Sequence, residues 1–141
     1  MVRVNLIPPK LLSDQHLIAE YDEILMLEGY VKKFPKICGD EPKQYCLGKG
    51  HIKFFKDKFA YLHKRHGLLK KEMKARGFKT NKSLKVSQFP KSLHKNYNPD
   101  KKAISIIKKR IIEKLGKKKD FYRYHGEKKS QSFFIDLIRR A

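Results

Sequence analysis

Hydrophobic side chains recur every three to four positions in three parts of this chain, and this spacing predicts three amphipathic helices. The first helix is expected to begin at Ser13, a residue type whose hydroxyl often caps a helix N-terminus. Its apolar stripe consists of Leu17, Tyr21, Ile24, Leu25 and Val31. A half-apolar helix is therefore expected close to the start of the chain.

The second and third predicted helices have start or stop signals. The second spans about residues 57–76 and ends before Gly77, because glycine readily adopts the left-handed conformation that closes a helix. The third starts at Asn98 and Pro99, a capping residue followed by proline, and ends at Gly116. The core-facing residues of these two helices are Phe59, Leu62, Leu69 and Met73 in the second, and Ile104, Ile107, Ile111 and Leu115 in the third.

The segments between these helices show neither a helical nor an alternating strand period. One, residues 34–51, is rich in Pro, Gly and Lys, and the other covers residues 79–97. No strand and no internal repeat is predicted. A chain of 141 residues has room for one hydrophobic core. The sequence therefore predicts an all-α fold, a single compact domain over residues 1–141 with about three helices and long ordered loops.

The charge of the chain indicates a polyanionic partner. Lys and Arg number 35 against 14 Asp and Glu, which gives a net charge of +21 and a pI near 10.0. Such a surface gains affinity for nucleic acid by releasing the counterions condensed on phosphates. The alternative is a highly charged, solvated surface without such a partner. Neither a membrane-spanning apolar run nor a secretion signal is found, so we expect an intracellular protein that binds no membrane.

The charges are distributed unevenly along the chain. The first 30 residues contain five acids and two bases, whereas the last third is the most basic part. In residues 117–129, KKKDFYRYHGEKK, aromatic residues alternate with cations, which suits stacking on bases while the cations contact phosphates. The alternative is that these aromatic residues belong to the core. Residues 132–138, SFFIDLI, are apolar enough to dock on the body of the protein or on a partner.

Motifs for other kinds of chemistry are incomplete. LGKGH at residues 47–51 lacks the spacing of a nucleotide-binding phosphate loop. His63 and His66 could share a metal, but no third ligand lies close to them in the sequence. Cys38 and Cys46 form no C-x-x-C pair. We therefore expect neither a metal nor a cofactor.

The first helix carries a second, polar pattern. At about 100° per residue, His16, Glu20 and Glu23 fall on one face, opposite the apolar stripe. Three titratable groups on one face suit proton transfer beside a bound substrate. The solvated carboxylates of an ordinary amphipathic helix would give the same pattern, so helical spacing leaves both interpretations open.

Five short segments, in order along the chain, resemble the pyrimidine-dimer DNA glycosylases, the small UV endonucleases of phages and algal viruses. These segments are VRVNL (residues 2–6), SDQHLIAEYDE (13–23), LGKGHIKFFKDK (47–58), ARGF (75–78) and FYRYHGE (121–127). The resemblance covers about residues 1–126 and leaves 127–141 as a C-terminal extension. It implies a bifunctional DNA repair enzyme, which removes a damaged base and then cleaves the strand at the abasic site.

By this resemblance, the nucleophile is the α-amine of Val2, exposed after removal of Met1, and Glu23 is the catalytic carboxylate beside it. An α-amine has a pKa of about 7.7–8.0 against about 10.4 for lysine, so it is far more often neutral at pH 7. Only the neutral amine can attack C1′ of the sugar and form a Schiff base. The other residues that match the family's DNA-binding site are Arg3, Asn5, Gln15, His16, Glu20, Tyr21, Arg110, Lys114, Phe121 and Tyr122.

Two residues of the first helix, Asp22 and Met26, stand where arginines are expected from the resemblance. An aspartate repels phosphates, which predicts weaker or differently directed DNA binding and leaves open a lesion other than the pyrimidine dimer. We expect a monomeric enzyme whose partner is double-stranded DNA with damaged pyrimidines. The alternatives are the same glycosylase and lyase chemistry on another modified base, and a non-catalytic basic protein that binds nucleic acid.

Overall fold

In the computed structural model, the described residues are 3–118 and 120–141. Val2, the expected source of the nucleophilic amine, lies outside the described residues. The secondary structure consists of helices α1 (Asp14–Lys33), α2 (His51–Phe55), α3 (Phe59–Ala75), α4 (Lys101–Lys117) and α5 (Gln131–Arg139), and of strands β1 (Arg123–Tyr124) and β2 (Glu127–Lys128). Short 3₁₀ turns occur at Pro9–Leu11, Gly48–Gly50, Val86–Gln88 and Lys91–Leu93.

The three helices expected from the sequence are present as α1, α3 and α4. The hydroxyl of Ser13 caps α1, as predicted, by accepting a hydrogen bond from the backbone N–H of His16 (3.1 Å). Asp100, rather than Asn98, caps α4, because its carboxylate accepts the N–H of Ala103 (2.8 Å). A carboxylate that can reach a bare N–H group at the third helical position thus decides where α4 begins.

Two other helix ends differ slightly from expectation. α3 begins at Phe59, two residues later than predicted, and is followed by Gly77 in the left-handed region with a φ of 83°. α4 continues one residue past Gly116, so this glycine lies in the last turn instead of ending the helix. The stop signal at Gly77 is therefore confirmed, and the one at Gly116 is wrong by one residue.

The sequence does not predict two of the helices or the hairpin. With five residues, α2 is too short to show a helical period. α5 contains most of the SFFIDLI segment and packs on α4 through a buried apolar face. The β1–β2 hairpin closes through His125 and Gly126, whose φ angles of 53° and 81° have the positive values of a type I′ turn. Residues 3–118 and 120–141 form a mainly helical fold, with five helices instead of about three. Within the described residues, no helix has the length and apolarity needed to cross a membrane.

One hydrophobic core lies between α1 and α3 and extends to α4 and α5. The predicted apolar stripes face it, with Leu25 and Ile104 only partly buried. The fully buried members of these stripes are Leu17, Tyr21, Ile24 and Val31 in α1, Phe59, Leu62, Leu69 and Met73 in α3, and Ile107, Ile111 and Leu115 in α4. Residues 4–7, which precede α1, are buried in the same core, so the start of the chain is fixed by packing.

Residues 79–97, here called the strap, are held on the helices by side chains. The hydroxyl of Tyr21 in α1 accepts the backbone N–H of Lys82 (2.7 Å) and donates to the carbonyl of the same residue (3.2 Å). Farther along α1, the carboxylate of Glu28 accepts a hydrogen bond from the side-chain amide of Gln88 (2.6 Å). The strap thus has a defined path across α1 although most of it has no regular secondary structure.

Candidate active site

Residues 4–7 are held by hydrogen bonds between their backbone and buried side chains. The N–H of Val4 donates to Nε2 of His51 (2.8 Å), and the carbonyl of Val4 accepts from the hydroxyl of Tyr45 (2.8 Å). Because Nε2 of His51 accepts this bond, it carries no proton, so the ring is neutral and its Nδ1 donates to the carbonyl of Cys46 (2.9 Å). Burial lowers the pKa of His51 and favours this neutral form. These bonds fix the position of Arg3, the next residue toward the N-terminus.

Asp14, in the first turn of α1, fastens the β1–β2 hairpin to this helix. Its carboxylate accepts hydrogen bonds from the backbone N–H groups of His125 (3.0 Å) and Gly126 (2.8 Å) and from the guanidinium of Arg76 (2.9 Å). Both Asp14 and the side chain of Arg76 are buried. The acid therefore connects α1, α3 and the C-terminal third of the chain.

Glu20 does not lie on a solvated polar face, although helical spacing allows that interpretation. Its two carboxylate oxygens accept hydrogen bonds from Nε (2.7 Å) and Nη2 (2.9 Å) of Arg65 in α3. Glu20 is 1% exposed and Arg65 is 3% exposed, and Arg65 also donates to the carbonyl of Ile7. The pair thus connects α1 and α3. Loss of either partner would leave an uncompensated buried charge and would destabilise the fold.

Glu23 differs from the other acids of α1. Among the described residues, no side chain forms a hydrogen bond or an ion pair with its half-buried carboxylate. Burial raises the pKa of Glu23, while the charge and the backbone N–H of Arg3 oppose this rise. A half-buried carboxyl group with a raised pKa holds a proton more readily than an exposed one, which suits general acid–base catalysis.

Glu23 borders a cavity of about 300 Å³ between α1, the end of α4 and the aromatic segment that follows α4. Its lining consists of Arg3, Asn5, Gln15, His16, Ala19, Glu20, Glu23, Lys114, Lys117, Lys118, Phe121 and Tyr122. Most of the residues expected at the DNA-binding site therefore lie together around one cavity. A larger groove of about 790 Å³ runs along α4 between Pro99 and Glu113 and contains none of them.

His16 and Asn5 bring buried polar atoms to this cavity. Over residues 3–118 and 120–141, neither Nδ1 of His16 nor Oδ1 of Asn5 has a hydrogen-bond partner. The ring of His16 packs on that of Tyr122, with 4.9 Å between ring centroids. Burial, reinforced by the charges of Arg3 and Lys114, lowers the pKa of His16 to about 4. The imidazole is therefore neutral at pH 7, and two buried polar atoms without a partner among the described residues belong to the residues of the cavity wall.

We expect acid to destabilise the fold between about pH 6.5 and pH 4. Burial lowers the pKa of His16 to about 4 and also lowers the pKa values of His51 and His66. Because the unfolded chain takes up these protons at a higher pH, stability is complete above the unfolded pKa and is lost as the pH falls. His16 alone accounts for a loss of up to about 3 kcal/mol.

Thermal unfolding at a series of pH values between 7 and about 4 measures this loss. The variant His16→Asn should show a shallower decrease of the melting temperature with falling pH than the wild type. A melting temperature independent of pH in this window, or the same slope in both proteins, would contradict the assignment to His16.

Gln15 joins α1 to the aromatic segment. Its side-chain amide donates to the carbonyl of Phe121 (3.0 Å) and accepts from the N–H of Arg123 (2.9 Å). Phe121 is 46% exposed, with the ammonium of Lys118 4.4 Å from the centre of its ring, whereas Tyr122 is buried. Of the two interpretations of this segment, an exposed stacking surface fits Phe121 and a place in the core fits Tyr122.

Tyr21 and Arg110 do not line the cavity. Tyr21 is buried and binds the strap, so it supports the site from behind. The guanidinium of Arg110 pairs with the carboxylate of Glu113 (3.3 Å). Its positive charge is the main cause of the lowered pKa of Lys114. Arg110 therefore adds positive charge beside the cavity without facing into it.

Three residues around the site have no role assigned from the sequence patterns. Ala19 lines the cavity, and Arg65 and Arg76 hold the acids of α1. Arg65 has a detectable signal, because it lies on the core-facing side of α3 among the predicted apolar positions. Ala19 has no such signal, since a small residue on an exposed helix surface is ordinary.

The potential metal ligands lie away from this cavity. In the part of the chain that the structure describes, one group, Cys38, Asp40 and Glu41, has ligand atoms within 4.8 Å of one another in the loop after α1. Asp40 pairs with Lys53 (3.1 Å), and Glu41 accepts the backbone N–H of Cys38 (3.0 Å). The loop's own contacts thus explain this cluster.

Comparison with known protein families gives a match over the first part of the chain. A family model described as pyrimidine dimer DNA glycosylase matches residues 1–86. The matched part includes α1, α2, α3 and the beginning of the strap, and with them Arg3, His16 and Glu23. The end of α4 and the aromatic segment, which form the opposite wall of the cavity, lie beyond it.

Proposed function

This chain belongs to the pyrimidine dimer DNA glycosylase family, and from that premise we propose a bifunctional DNA repair enzyme that excises damaged pyrimidines and cleaves at the resulting abasic site. The observation that carries this proposal is the half-buried carboxylate of Glu23, which borders the cavity close to Arg3. Val2 is the residue bonded to Arg3, and its α-amine is proposed to act on a sugar bound against Glu23.

The α-amine of Val2 is the proposed nucleophile. Its ordinary pKa of about 7.7–8.0 leaves a useful neutral fraction at pH 7, which the lysines lack. The nitrogen lone pair attacks C1′ of the deoxyribose while the bond from C1′ to the damaged base breaks, and the base leaves with the electron pair of that bond and takes up a proton from solvent. The nitrogen then loses a proton, and its lone pair forms the double bond to C1′ as the bond from C1′ to the ring oxygen breaks and that oxygen takes up the proton to become a hydroxyl group. The product is a protonated Schiff base between C1′ and the nitrogen.

Strand cleavage follows from this intermediate. The Schiff base acidifies the protons on C2′, and removal of one of them gives an enamine. The electrons of the enamine then form a double bond between C2′ and C3′, while the bond from C3′ to its phosphate oxygen breaks and the phosphate leaves with that electron pair. Hydrolysis of the imine by water then releases the amine. Glu23 is proposed to stabilise the positive charge on the sugar and to accept and return protons in these steps.

Binding of DNA is assigned to the cations and the aromatic residue around the cavity. Lys114, Lys117 and Lys118 stand at one wall and Arg3 at another, which suits contacts to the phosphates on either side of the damaged nucleotide. Phe121 offers an exposed aromatic face for stacking on a base. Because C1′ is not accessible inside an undistorted duplex, we expect the DNA to be kinked or a nucleotide to be flipped out on binding.

A second candidate keeps this chemistry but changes the damaged base. The observation that favours it is the pair Asp22 and Met26, which replaces two cations expected on the exposed side of α1. A purely non-catalytic nucleic-acid-binding protein would explain the charge of +21 but gives no role to Glu23 or to the polar atoms of the cavity. The family's description favours the pyrimidine dimer over both alternatives.

Trapping with borohydride tests the proposed chemistry. The mature protein is incubated with duplexes that contain an abasic site, a pyrimidine dimer, an oxidised base, an alkylated base or no damage, and the imine is reduced. We expect a covalent adduct on the N-terminal peptide with the abasic and dimer duplexes and none with undamaged DNA. No adduct with any duplex would overturn the Schiff-base mechanism. Adducts with the oxidised or alkylated duplex, but not with the dimer, would favour the second candidate.

A further inference from the structure

Asp22 does not face the solvent alone, because it is paired with a cation of the strap. Its Oδ1 atom lies 3.5 Å from Nζ of Lys82, and the two side chains are 45% and 59% exposed, respectively. An exposed ion pair of this kind contributes little to stability. The pair is therefore not needed to hold the fold. Because Asp22 is the residue next to Glu23, the pair places a cation close to the candidate site.

The backbone of Lys82 is fixed independently of this ion pair. The hydroxyl of Tyr21 bonds to both the N–H (2.7 Å) and the carbonyl (3.2 Å) of Lys82, as described above. Tyr21 is itself buried, and its ring stacks on that of His66 with 4.8 Å between centroids. The backbone of Lys82 is thus held by Tyr21, and the ion pair with Asp22 directs its ammonium toward the surface of α1.

The geometry of α1 places this ammonium on one side of an uncharged surface. Asp22 and Glu23 are separated by about 100° around the helix, and the exposed residues Ala19 and Met26 lie between them. The cavity with its three lysines adjoins Glu23, while Lys82 adjoins Asp22. At about 5 Å from the helix axis, positions 100° apart are separated by about 8 Å, which corresponds to about two nucleotides at about 3.4 Å per nucleotide of a DNA strand.

We propose that Lys82 binds a DNA phosphate across α1 from the cavity and that Asp22 is a positioning residue for Lys82. The proposal rests on the proposed function, because duplex DNA is the ligand. An ammonium group has three donors, so Lys82 can contact a phosphate while it keeps its bond to Asp22. In this arrangement the aspartate reduces the mobility of a phosphate-binding lysine, and the repulsion expected from an aspartate alone is offset by its partner.

Removal of each side chain separates positioning from repulsion. Binding of the wild type, Lys82→Ala, Asp22→Ala and the double variant is measured on a duplex with an uncleavable abasic-site analogue, over a range of salt concentrations. Lys82→Ala should weaken binding about three- to tenfold and reduce the slope of log K against log salt by about 0.9, the share of one phosphate. Asp22→Ala should weaken binding about two- to fivefold, and the double variant should resemble Lys82→Ala because the two effects act through one residue.

The controls follow from the same structure. Lys101→Ala removes an exposed lysine at the opposite end of α4, about 20 Å from Lys114 along the helix. Because salt screens a charge at this distance, the affinity for DNA should decrease only slightly. Lys82→Arg should retain most of the affinity. In steady-state cleavage of abasic DNA, Lys82→Ala and Asp22→Ala should raise KM and leave kcat unchanged. A loss of folded protein would instead lower the apparent kcat and leave KM unchanged.

Three outcomes would overturn this inference. Tighter binding by Asp22→Ala would show that the aspartate repels DNA and does not position Lys82. A Kd and a salt slope for Lys82→Ala equal to those of Lys101→Ala would exclude Lys82 as a phosphate contact. A wild-type protein that binds no duplex would overturn the proposed function and this inference with it. If the wild type is trapped on abasic DNA but the variants bind DNA as the wild type does, this inference alone is overturned.

Discussion

Replacing Glu23 by glutamine is expected to slow excision of the damaged base by about 10²- to 10⁴-fold. The amide has nearly the shape of the carboxyl group, but it carries no negative charge and accepts no proton at neutral pH. The cationic sugar therefore loses its stabilisation, and the elimination step loses its base. DNA binding should be unchanged or slightly tighter, because every cation around the cavity is retained and one negative charge is removed.

Single-turnover excision on a dimer-containing duplex, measured beside the equilibrium affinity for the same DNA, tests this expectation. Asp136→Asn is the matched control, since it makes the same change of carboxylate to amide at an exposed position of α5. Excision by Glu23→Gln at the wild-type rate would remove Glu23 from the mechanism. Equal losses of excision and affinity would give it a binding role instead of a catalytic one.

The same variant should be at least as stable as the wild type at neutral pH. Burial raises the pKa of Glu23, which means that the folded protein holds the ionised carboxylate at a cost relative to the unfolded chain. A neutral amide in this position avoids that cost. A large fall in the melting temperature of Glu23→Gln would instead indicate that the carboxylate supports the fold, as Glu20 does.

Blocking the α-amine of Val2 is expected to abolish strand cleavage at abasic sites. Retention of Met1 moves the amine away from residue 2, and acetylation removes the nucleophilic lone pair. No lysine can replace the amine efficiently, since its higher pKa leaves it neutral roughly two orders of magnitude less often at pH 7. The loss should therefore be complete within the sensitivity of a gel assay, while the DNA is still bound.

A removable N-terminal tag provides the control for this experiment. The tagged precursor and the protein released from it by proteolysis have the same residues from Val2 onward, and only the second has the free amine. Cleavage should appear on removal of the tag and disappear again after selective acetylation near neutral pH. Full activity of the tagged precursor would place the nucleophile elsewhere in the chain.

The clustering of the candidate site residues was predictable from the sequence, whereas the contacts of the acids in α1 were not. Helical spacing puts His16, Glu20 and Glu23 toward one region, and all three line the cavity. The partner of Glu20, Arg65, lies 45 residues away on another helix, and no local pattern links the two. The excess of acids near the N-terminus thus has two explanations, structural for Glu20 and chemical, in our proposal, for Glu23.

The elements that the sequence does not predict depend on contacts that are distant in the chain. The turn of the hairpin at His125 and Gly126 is fixed by the carboxylate of Asp14, more than a hundred residues earlier. α2 has too few residues to show a period, and α5 can be recognised as a helix only through its apolar face against α4. The long helices α1, α3 and α4, by contrast, carry enough regular apolar positions to be identified from spacing alone.

The cavity has walls from both ends of the chain, and this affects the protein while it is being made. Val2, Arg3 and Glu23 leave the ribosome early, since synthesis proceeds from the N-terminus. Lys114 and Tyr122 follow only after roughly ninety further residues have been added. If the proposed mechanism holds, a nascent chain carries the proposed nucleophile without the opposite wall of the cavity. We therefore expect no activity on DNA until the last third has been translated and its hairpin has bound to Asp14.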